Sequence, residues 1–225
     1  MTGPQRETNA GRALRALEHG DPSVRLRAAL AVGTAPDPRF VDTLVARCAI
    51  EPEFPVREML TWALIRHPPA LTVPRLTDQL RSQPAQARSQ ALHTLSKIGD
   101  RRAWPAVTRA LLTDPDDEVA RSAWRAAVVL VPPGDEPELA DVLATQFGRG
   151  TRDTRDTRLS LSRALVALGA VVTPVLRVAM TDPDPQVRAH AIATQRLARD
   201  PDAHVEFSIE EAKRVVALGV TGERG

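Results

Sequence analysis

The chain has very few aromatic residues and a single cysteine. Tyrosine is absent, and aromatic residues make up 3% of the sequence. A core with so few large rings has to be built from Ala, Leu and Val, which favours close packing of helices. Cys48 cannot form an internal disulfide, and its place in the apolar pattern FVDTLVARCAI predicts a buried free thiol.

Long apolar runs and lysine are also scarce. No apolar run is long enough to cross a bilayer, and the stretch MTGPQRETNAGR lacks the apolar segment of a signal peptide. We therefore expect a cytoplasmic protein without a membrane partner. A net charge of +2, with 43% hydrophobic and 26% charged residues, predicts a folded soluble chain. Apart from Lys97 and Lys213 the cations are arginines, which either anion recognition or the codon bias of a high-GC genome explains.

A sequence repeat organises the chain. Its anchor positions, spaced by 32, 31, 32, 38 and 30 residues, are Val24, Val56, Ala87, Val119, Thr157 and Val187. The residue after the anchor is arginine in five of the six units: Arg25, Arg57, Arg88, Arg158 and Arg188. Four and seven residues after the anchor stand only Ala, Leu or Thr, on one face of a helix. Such a period predicts stacked supersecondary units.

Prolines indicate two helices in each unit. Pro74, Pro105, Pro137 and Pro174 each begin a Pro-x-Leu or Pro-x-Val stretch upstream of an anchor, which is typical of a first helix started or bent by proline. Asp-Pro pairs at 21–22, 114–115 and 182–183 predict the start of the second helix, because Asp caps a helix and Pro is tolerated in its first turn.

The segments DPSVRLRAALAVG, DPDDEVARSAW and DPDPQVRAHA, with the upstream Pro-x-Leu, resemble HEAT repeats, including the bacterial subset related to bilin-lyase repeats. The resemblance implies an all-α fold, a single solenoid over residues 1–225. Its six helical hairpins would span residues 8–34, 38–67, 70–99, 102–131, 135–169 and 171–198. A capping box from Ser208 to Glu211 predicts a terminal helix over residues 206–219 that covers the end of the stack.

The resemblance also implies a structural role for the repeated arginine. In HEAT arrays an arginine at this place commonly hydrogen-bonds to acidic groups near the turns and links neighbouring units. Asp21, Glu53, Asp116 and Asp184 lie three residues before their anchors and are the expected acceptors.

Function is expected on the face of the second helices that lines the concave side of the solenoid. Offsets of 3, 6 and 10 from the anchor share a stripe away from the core. The candidate binding residues on it are Arg27, Met59, Trp62, Arg66, Gln90, His93, Lys97, Arg125 and Arg163. An aromatic anchor among positive charges suits an acidic partner segment. The alternative is an ordinary solvated surface, with Trp62 packed against the next unit. Trp104 and Trp124 lie nearer core offsets and are expected to pack inside.

The 38-residue spacing points to an insertion within GRGTRDTRDTR, residues 148–158. We expect a mobile loop between the two helices of the fifth unit, in which Arg152 and Arg155 contact phosphate or carboxylate groups. A tolerated slip duplication explains the same sequence.

Enzymatic signals are absent from the sequence. HEAT-like deoxyhypusine hydroxylases carry His-Glu pairs for a di-iron site, whereas this chain has only Glu18-His19, in the reverse order. Its five histidines show no pair at helical ligand spacing, and no glycine-rich phosphate loop occurs. We therefore expect no catalytic residue, no metal and no cofactor.

Two functions remain open. The first is a non-enzymatic adaptor, a monomer or weak oligomer, whose concave groove binds a protein or peptide. The second is nucleic-acid binding through a basic groove, as in HEAT-like alkylpurine DNA glycosylases, or a transcription-related accessory role through a partner. The net charge of +2 gives the second only weak support.

Overall fold

The computed structural model describes residues 9–149 and 155–200, and within them the chain is helical and contains no strand. The α-helices of this part of the chain are α1 (Asn9–Leu17), α2 (Pro22–Thr34), α3 (Val41–Ile50), α4 (Phe54–Ile65), α5 (Pro69–Gln79), α6 (Ala85–Ile98), α7 (Arg109–Leu112), α8 (Asp117–Leu130), α9 (Glu136–Ala144), α10 (Arg155–Ala167), α11 (Thr173–Ala179) and α12 (Pro185–Arg199). Short 3-10 helices cover Pro38–Phe40, Arg101–Ala106 and Gly169–Val172. The predicted all-α fold of consecutive helical pairs is confirmed.

The chain divides into two compact units, Met1–Asp135 and Glu136–Gly225. In the first unit the second helices of successive repeats pack on each other, α2 on α4, α4 on α6 and α6 on α8. In the second unit α10 packs on α12 in the same way. Among the described helices, none is long and apolar enough to span a membrane. A single solenoid over the whole chain stays a prediction, and the cap at 206–219 lies outside the described residues.

The second helices α2, α8 and α12 are capped by Asp as predicted, but in two of them a different Asp is the cap. Asp21 caps α2 as expected, and its side chain accepts the Ser23 N–H at 2.8 Å. The other two Asp-Pro pairs were misplaced, because Asp116 caps α8 and Asp184 caps α12. Asp114 and Asp182 instead accept the N–H two residues on, at 2.9 and 2.8 Å. They therefore shape the turn before the cap.

Small residues are buried on α6 and α8, which pack on each other. The alanines of these two helices with at most 3% exposure are Ala87, Ala91, Ala120, Ala123, Ala126 and Ala127. Trp124 is fully buried, and its Nε1–H donates to the Leu112 carbonyl at 2.8 Å. Its packing role is confirmed, whereas Trp104 is half-buried. Cys48 is a buried free thiol as predicted, and burial raises its pKa to about 12.

The repeated arginine closes the turn before its helix. In Arg25, Arg57, Arg88 and Arg188, Nη1–H groups donate to the backbone carbonyls five and six residues earlier, at 2.6–3.0 Å. These carbonyls belong to the turn and have no helical partner, so the guanidinium satisfies groups that burial would otherwise penalise. The structural role of the column is confirmed.

The acceptors that link one repeat to the next are not the predicted ones. Arg25 donates to both carboxylate oxygens of Glu51 at 2.7 Å, and Arg88 lies 3.1 Å from the Asp114 carboxylate. Both acceptors come from the following turn, 26 residues later. The prediction of Asp21, Glu53, Asp116 and Asp184 was wrong. Three of these cap their own helices, and Glu53 makes no side-chain capping bond.

Glu51, the acceptor of Arg25, has three partners. It is fully buried, pairs with Arg25 and Arg47, and accepts the Glu53 N–H at 3.0 Å. Burial raises the pKa of such a carboxyl, but the hydrogen bonds from Arg25, Glu53 and Arg47 outweigh it and lower the pKa from 4.5 to about 2. Glu51 therefore stabilises the fold above pH 4.5, and this contribution is lost as the pH falls from there towards 2.

The second helices α2 and α4 approach so closely that glycine is required at their contact. A Cβ on the buried Gly33 would overlap the ring of Trp62 and lie 2.9 Å from the Ala63 Cα. The ring of Trp62 therefore occupies the space that a side chain at position 33 would need.

We expect Glu51→Gln to lower the free energy of unfolding at pH 7 by about 3 kcal/mol, because Arg25 would remain buried without its counter-charge. The variant should also lose stability less steeply than the wild type between pH 4.5 and 2. Urea unfolding across this pH range measures both effects. The control, Glu53→Gln, removes an exposed carboxylate and should change stability by less than about 0.5 kcal/mol. Equal losses in the two variants would contradict the prediction.

Gly33→Ala should destabilise the protein by about 1–3 kcal/mol through overpacking, although alanine is the better helix former by up to about 1 kcal/mol. The clash decides the sign, because the Ala63 backbone cannot rotate away as a side chain can. Gly20→Ala is the matched control, since nothing lies within 4 Å of a Cβ there. Thermal unfolding of both variants is the measurement, and an unchanged or raised Tm for Gly33→Ala would show that the contact is loose.

Candidate functional site

A cleft of about 590 Å³ lies along α4, α6 and α8. Because α6 packs against both α4 and α8, equivalent positions of three repeats face the same space. The lining residues are Phe54, Arg57, Glu58, Ala85, Gln86, Ser89, Gln90, His93, Asp116, Glu118, Arg121, Ser122 and Arg125. The cleft is polar and carries both signs of charge.

Three of the predicted binding residues, Gln90, His93 and Arg125, come together in this cleft. The others lie outside its lining: Arg27, Lys97 and Arg66 are exposed, Met59 and Trp62 are half-buried, and Arg163 is exposed in the second unit. Arg155 is the exposed first residue of α10, and Arg152 lies outside the described residues. A binding role for any of them stays a prediction.

Trp62 stacks within the protein. One side of its ring contacts Gly33 of α2, and the Arg66 guanidinium lies 5.6 Å from the ring centroid. The tryptophan therefore packs against the preceding repeat. Trp62 and Arg66 form a cation–π contact with each other, and neither lines the cleft. Both residues belong to the stripe that the sequence predicted for binding.

Gln90 forms part of the cleft floor, where it belongs to a buried polar cluster. It is 8% exposed, and its Nε2–H donates to Thr61 Oγ1 at 3.0 Å. Thr94 lies 3.4 Å from the same hydroxyl and donates to the Gln90 carbonyl at 2.9 Å. The cluster ties α4 to α6 and holds the floor of the cleft in place.

The second unit contains an equivalent cluster at the same offsets. His190 Nε2 lies 3.2 Å from Ser162 Oγ, and Ser162 lies 2.7 Å from Thr194 Oγ1. His190 Nδ1 accepts the Gly148 N–H at 3.4 Å, and Nε2 lies 3.0 Å from the Arg158 carbonyl. Burial is the main cause that lowers the pKa of His190, so the ring is neutral at pH 7. Offset 3 is thus a packing position in this repeat.

His93 is held between charges of both signs. Its Nε2 lies 3.1 Å from Glu58 Oε1 but is not aligned for a hydrogen bond, and this buried nitrogen has no other hydrogen-bond partner among the described residues. Burial lowers the pKa of His93, Glu58 raises it, and Arg125 and Lys97 lower it further. The net effect is a lowered pKa, so the imidazole is mainly neutral at pH 7.

The three arginines of the cleft differ in their partners. Arg57 donates to two turn carbonyls and lies 5.7 Å from the centroid of the Phe54 ring. Arg121 pairs with Glu118 at 2.8 Å. Arg125 donates to Ser122 Oγ at 3.1 Å and, within the part of the chain that the structure describes, forms no ion pair with a carboxylate. Burial, and after it the charge of Arg121, lower the pKa of Arg125.

Sequence reasoning missed most of the lining, although one column carried a signal. Two residues after the anchor stand Glu58, Ser89 and Arg121 in the three repeats that form the cleft. The other three repeats have Leu26, Leu159 and Ala189 at this offset. A polar column confined to consecutive repeats therefore marks the cleft. Across residues 9–149 and 155–200, no group of three His, Cys, Asp or Glu side chains is placed to hold a metal ion.

Comparisons with known proteins match part of the chain to a family of helical repeats. A family model described as HEAT repeats matches residues 73–162, which include α6 and α8 of the cleft. No curated protein matches the chain. One engineered protein is 18% identical, with a TM-score of 0.46 over 86% of this chain and 97% of its own. A second engineered protein is 15% identical, with a TM-score of 0.47 over 85% and 99%.

The complex of CpcE and CpcF of phycocyanin lyase from Nostoc sp. PCC7120 is 19% identical, with a TM-score of 0.46 over 86% of this chain and 78% of that one. HEAT repeats generally mediate interactions between proteins. The family's repeats are matched over residues 73–162, and the consecutive helical pairs of the described residues agree with that match.

Proposed function

We propose that the chain is a non-enzymatic adaptor that binds a segment of a partner protein in the cleft between α4, α6 and α8. The observation that carries this proposal is the contrast between packing and lining positions. The columns four and seven residues after the anchor, on the packing face, hold only Ala, Leu or Thr in every repeat, whereas the lining position two residues after the anchor is polar only in these three repeats. Polar variation that no packing contact requires is typical of a binding surface.

The size and chemistry of the cleft fit a short stretch of polypeptide. A volume of about 590 Å³ accommodates a few side chains, and the lining offers hydroxyl, amide, carboxylate and guanidinium groups. Phe54, at the edge of α4, is 62% exposed and supplies an apolar surface beside them. Polar groups fix the orientation of a bound segment, and an exposed ring contributes contact area at little entropic cost.

Nucleic-acid binding, the second function considered from the sequence, fits this cleft less well. Glu58, Asp116 and Glu118 line it together with the arginines, so a phosphate backbone would meet both signs of charge. Affinity for nucleic acid depends mainly on cations that neutralise successive phosphates. A protein segment, which itself carries both signs, is the better match.

The proposal is tested by panning a phage-displayed random peptide library on the full chain. We expect enriched peptides that bind the wild type and lose about tenfold or more in affinity to Ser89→Arg, because the added side chain fills the middle of the cleft. Ala110→Arg adds the same side chain at an exposed position of α7 and should bind like the wild type.

Far-UV circular dichroism of both variants confirms that they remain folded. The proposal fails when no peptide is enriched, or when the enriched peptides bind both variants equally. Tight binding of duplex DNA with a steep salt dependence, abolished by Ser89→Arg, would favour the nucleic-acid function instead.

A further inference from the structure

We propose that the cleft contains a subsite for one carboxylate, the side chain of an Asp or Glu in the bound segment, formed by Arg125 with the neighbouring Ser122. The subsite rests on the proposed function and names the residue class that the cleft selects.

Arg125 is the arginine of the cleft with the fewest hydrogen bonds and ion pairs among the described residues. Arg121 pairs with Glu118 at 2.8 Å. Arg57 uses its Nη1 on two backbone carbonyls. For Arg125, the described residues supply a hydrogen bond to Ser122 Oγ at 3.1 Å and no ion pair. Arg125 therefore keeps N–H donors that a bound partner can use.

The guanidinium of Arg125 is accessible to an anion, because the residue is exposed at the cleft. Burial of part of its side chain and the charge of Arg121, four residues before it on α8, lower the pKa of Arg125, whereas Glu118 and Glu58 raise it. A guanidinium has five N–H donors, and a carboxylate binds two of them side by side. The Ser122 hydroxyl beside the guanidinium offers a further hydrogen bond to the same anion.

The charge balance favours a carboxylate over a phosphate group. Glu58, Asp116 and Glu118 line the same cleft, so a dianion would be repelled more strongly than a single negative charge. The N-terminus of α8 does not offer an alternative anion site. Asp116 already accepts the N–H groups of Glu118 and Val119, at 3.0 and 3.1 Å. A carboxylate on Arg125 therefore meets less repulsion from these acidic residues than a phosphate group would.

His93 provides a local reporter of occupancy. Arg125 is one of the groups that lower the pKa of His93. A carboxylate bound to Arg125 offsets this charge, so the His93 imidazole should titrate at higher pH in the complex than in the free protein. Glu58 on α4, Arg125 on α8 and Lys97 on the same helix are the charged groups that act on the ring.

The test uses the peptides recovered by display on the wild type. Each is synthesised with its Asp and Glu residues intact, and in versions with one acidic residue at a time replaced by its amide, Asn or Gln, or by phosphoserine. Affinities are measured by calorimetry for the wild type, Arg125→Gln and Arg109→Gln. Arg109 is an exposed arginine of α7 outside the cleft, so its variant controls for the change in net charge.

We expect one acidic position at which the amide and the phosphoserine each weaken wild-type binding about tenfold or more, the loss of a charge-assisted hydrogen bond. Arg125→Gln should bind the acid and amide versions equally, and Arg109→Gln should behave like the wild type. In the complex with the acidic peptide, NMR should show the raised titration of His93.

Equal affinity of the acid and amide versions for the wild type overturns the subsite while leaving peptide binding in the cleft intact. The same conclusion follows when the preference for the acid persists in Arg125→Gln. A phosphoserine version that binds more tightly than the acid reassigns Arg125 to phosphate. Failure to recover any peptide removes the proposed function itself, and the subsite with it.

Discussion

The hydrogen bonds of the repeated arginine are the interaction on which the other features depend. Its guanidinium bonds two carbonyls of the turn before the second helix, and in Arg25 and Arg88 it also reaches a carboxylate in the next repeat. A single side chain thus fixes both where the helix begins and how the next repeat is placed. This common register brings equivalent positions of successive second helices to the same side.

Because the register is common, differences in side-chain size at one offset leave a cleft between neighbouring second helices. In the middle helix, α6, the short side chain of Ser89 stands between Glu58 of α4 and Arg121 of α8. A larger residue at position 89 would fill the space that these two leave between them. Below it, Thr61, Gln90 and Thr94 satisfy one another's polar groups, so the floor is rigid without exposing an apolar surface.

The sequence predicted those features that repeat and missed those that depend on stacking. The helical pairs, the buried Cys48 and the turn-closing role of the arginines follow from local chemistry and periodicity. The partners Glu51 and Asp114 do not, because they lie 26 residues from their arginines and only the packing of repeats brings them close. The binding stripe was predicted from the geometry of an isolated helix. In the structure Gln90 is buried, and the position two residues after the anchor faces the cleft.

The fourth repeat, which departs from the arginine pattern, supplies the charges that distinguish the cleft. It has the fully buried Ala120 where the other repeats have arginine. The turn before α8 is held from the preceding repeat instead, because Arg88 pairs with Asp114 and the Asp114 carboxylate accepts the Asp116 N–H. Asp116 caps α8, Asp117 and Glu118 lie in its first turn, and carboxylates at a helix N-terminus are stabilising. Glu118 then neutralises Arg121, and Arg125, one turn further along, is left as the cation that a partner can pair with.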